Sequence, residues 1–264
     1  MPQRRQASRP EESAGARTDS SASYVYGIVP GDVEMAPGIE GVGEPAGQVR
    51  LVTFGQIAAL VSDVEADRPL GRPADLQAHQ RLLDQTAMEV PVLPFRFGAV
   101  LTSPEAVVEE LLKPNHDTFV DGLQQLEGLA QYVIKARYDE RAILTEILEE
   151  SREAAELRRR IAGLPADATR NERIRLGEII ERTIAGKRET DTETVVEDLL
   201  DLCEQVVLRN PSHERDAAHV AVLMEQGRQA ELEQAVDRLA SQWSGRVEMR
   251  LLGPLAPYDF VTTS

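Results

Sequence analysis

Leu129-Ala130-Gln131-Tyr132-Val133-Ile134-Lys135-Ala136-Arg137-Tyr138 is the stretch that decides the fold. Its side chains alternate with the period of a strand. Tyr132, Ile134, Ala136 and Tyr138 point one way; Val133, Lys135 and Arg137 point the other. Gly128 stands just before it, well placed as the C-cap glycine of a preceding helix, and a long charged stretch with helical character follows. A strand set between helices on both sides predicts a mixed fold.

Toward the C-terminus, residues 140–207 read as one long helical region. It carries Ile143, Ile147 and Leu148 early, and Val195, Val196, Leu199, Leu200, Cys203, Val206 and Val207 late. Gly163-Leu164-Pro165 and Gly186 divide it, and Thr190 with Glu193 has the spacing of a capping box for the last piece. Asn210-Pro211-Ser212 is a turn. Residues 217–224 are almost continuously apolar, as in a strand buried on both faces, and 229–242 form a helix. Residues 246–252 alternate again, Val247, Met249 and Leu251 against Glu248 and Arg250. Gly253-Pro254 is expected to end that strand, because proline has no N–H to give a ladder. Tyr258 and Phe260 lie two apart in an extended tail, so they face one way. They are expected to fold back onto the protein, across the seam between its halves.

Toward the N-terminus, aromatic and β-branched residues 23–29 make a strand closed by Pro30-Gly31-Asp32. A Gly/Pro loop follows to residue 48. Residues 49–53 and 57–61 form a hairpin around Phe54-Gly55-Gln56, and 67–73 are another loop. Residues 74–89 are helical, with Leu76, Leu83 and Ala87 on one face. Pro91 and Pro94 make 90–101 an edge or bulged strand. Ser103-Pro104 starts a helix that ends at Leu111-Leu112 before Pro114, and a further helix carries Phe119, Leu123 and Leu126. The succession implies an α+β fold of two lobes meeting near residue 128. Residues 23–127 form an N-terminal ferredoxin-like domain, and 128–264 a C-terminal α+β domain with long helices and an extended tail. Each lobe would hold a small antiparallel sheet with helices on one face. Residues 1–22, polar and small, are expected to be a disordered tail dispensable for folding.

The formal net charge of −16 argues against nucleic acid and against an anionic lipid membrane as partners. No apolar run reaches the ~18 residues of a membrane span. Cys203 is the single cysteine, so no intramolecular disulfide forms, and a reducing cytosol is the expected compartment. On its apolar helical stripe it reads as a buried structural thiol. Arg4-Arg5 is followed by a polar stretch rather than an apolar one, so no export signal is read there. His79, His116, His213 and His219 lack the spacing of a helical zinc motif, and Gly38, Gly41 and Gly43 do not make a dinucleotide-binding turn. Glu156 and Arg160 read as a solvated helical pair. No catalytic residue, metal or cofactor is assigned, and no enzyme is expected. The alternative is a small-molecule-binding or enzymatic α+β protein, whose sign would be a deep polar cleft gathering His79 with carboxylates.

Three segments together carry a resemblance. They are Tyr24-Val25-Tyr26-Gly27-Ile28-Val29; Val92-Leu93-Pro94-Phe95-Arg96-Phe97-Gly98-Ala99-Val100, following His79 on the helix before it; and Leu251-Leu252-Gly253-Pro254-Leu255-Ala256-Pro257-Tyr258-Asp259-Phe260-Val261. In identity, order and separation they resemble the gas vesicle protein F/L family (GvpF/GvpL) over nearly the whole chain from residue 23. Ala99 departs from the Thr of that pattern and Leu255-Ala256 from its Trp or Pro, which leaves both the F and the L branch open. The resemblance implies a cytoplasmic assembly factor or minor shell component, in contact with the major shell protein and with other gas vesicle accessory proteins. A shell subunit must expose apolar surface to gas and is an aggregation hazard before assembly, so an acidic partner that covers it makes physical sense. Phe95, Arg96 and Phe97, together with Tyr258 and Phe260, are the candidate partner-binding residues. As a strand, 95–97 would turn both phenylalanines to one face and Arg96 to the other, as core residues or as a docking surface.

Overall fold

The computed structural model of the chain describes residues 21–65 and 70–261. The expected N-terminal tail lies outside the described residues up to position 20. Ser21 and Ala22, however, already belong to the first strand, β1 (Ser21–Pro30), which extends two residues beyond the strand read from the sequence.

Two antiparallel sheets follow one another along the chain. The first is built from β1, β2 (Arg50–Phe54), β3 (Ile57–Glu65), β4 (Leu93–Pro94) and β5 (Val100–Leu101), in the order β2-β3-β1-β4 with β5 also beside β1. The second is built from β6 (Leu129–Tyr138), β7 (Gln205–Leu208), β8 (Asp216–Glu225) and β9 (Val247–Leu255), in the order β7-β8-β6-β9. Counted within each sheet, both orders are 2-3-1-4. The second half has the full β-α-β-β-α-β succession of the ferredoxin-like plan. In the first half the loop of residues 31–49 stands where the first crossover helix would be, and α1 (Pro73–Glu89) is the second crossover.

The first sheet is covered on both faces, not on one. Tyr24, Tyr26, Leu60, Leu82, Leu83 and Ala87 pack on the α1 side. Val25, Ile28, Ile57, Val61, Leu112, Phe119 and Leu123 pack on the other side, under α2 (Pro104–Ala106) with its π-helical continuation to Leu112 and under α3 (His116–Gln125). The strands therefore read as continuous apolar runs rather than as alternation. The prolines of 90–101 act as expected: they reduce the outer strand to two short pieces pairing with β1. On the second sheet, α4 (Glu140–Glu150), α5 (Arg152–Ile161), α6 (Arg170–Leu199) and α7 (Gln229–Gln242) cover one face. Ile143, Ile147, Val195, Leu199, Leu232 and Leu239 meet Tyr132, Ile134 and Tyr138 there.

Several expectations need correction. Leu76 is 52% exposed, and Asp75 takes the inward position on α1 instead. The Asp75 carboxylate accepts the main-chain N–H groups of Gly43, Gly71 and Arg72 and pairs with the Arg72 side chain, which offsets its burial. Gly186 does not divide the helical region: α6 runs unbroken for 30 residues, and Thr190 lies inside it, not at a cap. The helical region also stops before 207. Val206 and Val207 belong to strand β7, and Cys203 is extended and half-buried beyond the helix end, not on a helical stripe. Burial pushes its thiol up to about 11, the reverse of a reactive thiolate. Finally, β9 runs through Gly253 and Pro254 to Leu255. It is an edge strand, so the missing proline N–H costs no ladder bond, and the pairing with β6 shifts there as a bulge. Only glycine fits at the bulge: Gly253 has φ +138°, and a Cβ would lie 2.6 Å from the Tyr132 ring.

The burial of α1 predicts an unequal pair of truncations. Leu83→Ala should destabilise by about 2–5 kcal/mol, and Leu76→Ala by less than about 0.5 kcal/mol, in urea unfolding at constant m-value. Equal losses would mean that the assigned face of α1 is wrong.

Candidate functional site

Two of the five candidate side chains, Phe97 and Tyr258, and the main-chain carbonyl of a third, Phe95, converge on one histidine. His79 sits on α1 between Tyr24 and Tyr26 of β1, and it is buried. Its ring stacks on Tyr26 at 5.5 Å and meets Tyr24 and Phe97 edge-on. Nε2 lies 3.1 Å from the Phe95 carbonyl oxygen and 3.0 Å from the Tyr258 hydroxyl. A carbonyl only accepts, so Nε2 carries the proton and shares it between the two. Nδ1 is then the acceptor, taking the Tyr24 hydroxyl proton at 2.9 Å, while the Gly98 N–H donates to that hydroxyl at 3.1 Å. One neutral tautomer satisfies every bond. Burial lowers the His79 pKa, opposed by the Phe95 carbonyl, and burial raises those of Tyr24 and Tyr258 far above the physiological range. Burial thus favours the neutral form of each of the three. The His79 ring nitrogens face hydroxyls and a carbonyl, not the carboxylates that an acid–base site would bring.

The segments carrying the candidates are not extended strands, and this changes where the side chains go. Residues 95–98 lie between β4 and β5 and turn at Phe97-Gly98. Phe97 goes to the α1 side with His79, whereas Phe95 goes to the opposite side of the sheet, edge-on to Phe119 at 6.3 Å. The tail behaves alike. Bonds from Tyr258 N–H to the Ala256 carbonyl and from Phe260 N–H to the Pro257 carbonyl fold it into a turn. Tyr258 therefore joins the α1 side and Phe260 the other. Both pack back onto the protein, but not in the same direction. Arg96 alone is exposed, and it has no ion pair among the described residues.

Residues without an earlier assignment complete the junction. Asp84 on α1 accepts the Ala256 N–H at 2.9 Å. Gln131 of β6 and Asp259 bond twice, at 2.7 and 3.0 Å, and Arg209 pairs with Asp259 at 3.2 Å. Gln131 and Asp259 lie 128 positions apart, so no local pattern could announce them. Beside this junction a groove of about 330 Å³ opens between α3 and the second sheet, with Leu93, Phe119, Leu126, Leu223, Phe260 and Val261 among its walls.

The sequence from residue 22 to residue 262 matches the family described as gas vesicle synthesis protein GvpL/GvpF. The chain belongs to the GvpL/GvpF family. A gas vesicle protein F from a Streptomyces species is 31% identical over 244 residues, which cover 91% of this chain and 99% of that protein. Gas vesicle protein L1 of Halobacterium salinarum is 26% identical over 92% of both chains. The crystal structure of GvpF from an Anabaena species superposes with a TM-score of 0.75 at 24% identity, over 93% of this chain and all of that one. GvpF from Microcystis aeruginosa gives 0.71 at 23%, over 90% of this chain and 98% of that one. The GvpL/GvpF proteins are a structural and assembly family of gas vesicles and not a known enzyme family. Membership gives this chain a gas vesicle role. No described helix is long and apolar enough to cross a membrane.

The His79 junction makes stability depend on pH. The folded pKa lies below the unfolded value of ~6.5, so the unfolded chain takes up the proton first. The stabilisation is fully present above pH ~6.5 and is lost as pH falls through the folded pKa. Urea midpoints measured from pH 7.5 to 5 should fall for the native chain and fall less for His79→Gln. Parallel curves would remove His79 as the source. At pH 7.5, Tyr258→Phe should cost about 1 kcal/mol.

Proposed function

We propose that this protein is a cytoplasmic assembly factor that binds the hydrophobic shell subunit of gas vesicles and limits its aggregation before it enters the shell. The observation that carries the reading is membership of the GvpL/GvpF family across residues 22–262. Two features of the surface support it. The groove between α3 and the second sheet has mixed walls, with Phe119, Leu126, Leu223 and Phe260 beside Thr118, Asp121, Gln125 and Gln205, and its apolar part offers contact to an apolar ligand. Arg96 stands exposed on the segment between β4 and β5 that also carries Phe95 and Phe97. In this reading those phenylalanines, with Tyr258, hold the surface in shape, and Arg96 and Phe260 touch the partner. A net charge of −16 keeps the loaded complex apart from its copies.

The test is co-expression with the shell subunit followed by affinity capture and by ultracentrifugal separation of soluble from aggregated subunit. The native chain should retain the subunit in the soluble fraction. Arg96→Glu should lower the captured amount several-fold while the melting temperature stays unchanged. Failure to capture the subunit, either from lysate or on isolated vesicles, would overturn the reading. Release of the chain from purified vesicles by urea would mark an associated factor, and retention a minor shell component.

A further inference from the structure

β7 is the outer strand of the second sheet, and its free edge is open. Its ladder with β8 runs from the Gln205–Leu223 pair to the Leu208–Val220 pair and continues with the Arg209 N–H on the His219 carbonyl. That phase turns the main-chain N–H and C=O groups of Val206 and Leu208 away from β8, and no described residue bonds to either N–H. Leu208 is 63% exposed. Such an edge is a template for another strand, and this one carries no lysine, proline or bulge at Val206–Leu208 to blunt it.

A groove of about 700 Å³ runs along the same edge, between β7 and the antiparallel α6. Val196, Val206 and Leu208 supply its apolar wall, and Glu189, Glu193 and Glu197 line its α6 side. The three carboxylates recur every fourth residue, so they stand about 6 Å apart in a row. All three are exposed, and none has an ion pair among the described residues. Arg188 and Arg209 also line the groove, but neither pairs with this carboxylate row. Arg188 donates to the carbonyls of Glu214 and Asp216, and Arg209 pairs with Asp259.

We infer that the β7 edge and the α6 groove together dock an extended, basic segment of another protein, which adds a fifth strand to the second sheet. Alternate residues of a strand repeat every ~6.8 Å, close to the ~6 Å spacing of the carboxylate row. Lysine or arginine at three alternate positions therefore meets Glu189, Glu193 and Glu197 in register. The aliphatic stems lie on Val196 and Leu208 while the heads reach the carboxylates. Main-chain bonds to Val206 and Leu208 supply the pairing, and the charge row supplies the selectivity. A second copy of this chain is the wrong occupant: pairing β7 with β7 about a two-fold axis would set one carboxylate row beside the other. The groove proposed for the shell subunit meets β7 only at Gln205, whereas this surface is built from Val206, Leu208 and α6, so it stands whatever that subunit does.

The probe is a labelled peptide, Thr-Lys-Val-Lys-Val-Lys-Thr, with its glutamate-for-lysine counterpart as control, titrated with the full chain and read by fluorescence anisotropy. The lysine peptide should bind, more weakly as salt rises, and the control should not. Reversing the row with Glu189→Lys, Glu193→Lys and Glu197→Lys together should weaken binding at least about tenfold at low salt, with the circular dichroism melt unchanged. N-methylating the peptide at its valines or at its lysines separates strand pairing from charge alone. One set faces β7 and its methylation should abolish binding, while methylation of the other set should leave it intact. Equal binding by both methylated peptides, equal binding to the charge-reversed chain, or no binding of the lysine peptide would each overturn the inference.

Discussion

The contact of the C-terminal segment with α1 is the constraint on which the arrangement of the two halves depends. β9 belongs to the second sheet, yet the residues just after it bond to the first half: Ala256 to Asp84, and Tyr258 to His79. The bulge at Gly253 re-aims the strand toward α1, and the turn at 258–260 sends Tyr258 and Phe260 to opposite faces of the first sheet. Each bond alone contributes little, about 1 kcal/mol. Their effect is geometric, since together with Gln131–Asp259 they fix the seam. Phe260 and Val261 form part of the wall of the groove between α3 and the second sheet.

The same constraint explains why the aromatic candidates are half-buried rather than displayed. In a chain with so few aromatic residues, most of those near the junction are used to fill it: Tyr24, Tyr26, Phe97 and Tyr258 on one side, Phe95, Phe119 and Phe260 on the other. What remains for partners is the surface around them. Its features are an exposed arginine, a groove of mixed polar and apolar walls, and at one edge of the second sheet a strand with ladder groups free. Burying both faces of the first sheet leaves its edges, the groove beside α3 and the helix-free face of the second sheet, with Arg137, Glu248, Arg250 and Leu252 exposed, as surfaces for recognition.

Elements with a strong period could be read from the sequence almost to the residue. The alternation of β6, the apolar run of β8, the helix α7 and the proline-broken outer strand of the first sheet all stand where the pattern puts them. The misreadings have physical causes. Val206 and Cys203 continue the helical spacing of Leu199 by coincidence, and no glycine or proline marks the end of α6, so a four-residue strand was hidden in a helical stripe. Gly186 is tolerated within α6 because long helices absorb one glycine at about 1 kcal/mol. Asp75 displaced Leu76 from the core through hydrogen bonds to residues as far away as Gly43. The site was legible only in part. The sequence flagged Phe95, Phe97, Tyr258 and Phe260, but it could not show that turns would divide them between two faces, nor that His79 would join them.

The most direct measurement compares the intact chain with one ending at Leu255, unfolding both in urea with two probes. Trp243, the single tryptophan, packs on the core of the second sheet, and circular dichroism at 222 nm reports the helices of both halves. If the tail couples the halves, the intact chain unfolds in one transition on which both probes coincide. The shortened chain should show the circular dichroism transition moving to lower urea than the fluorescence one. Coincident transitions with an unchanged midpoint after truncation would contradict the account.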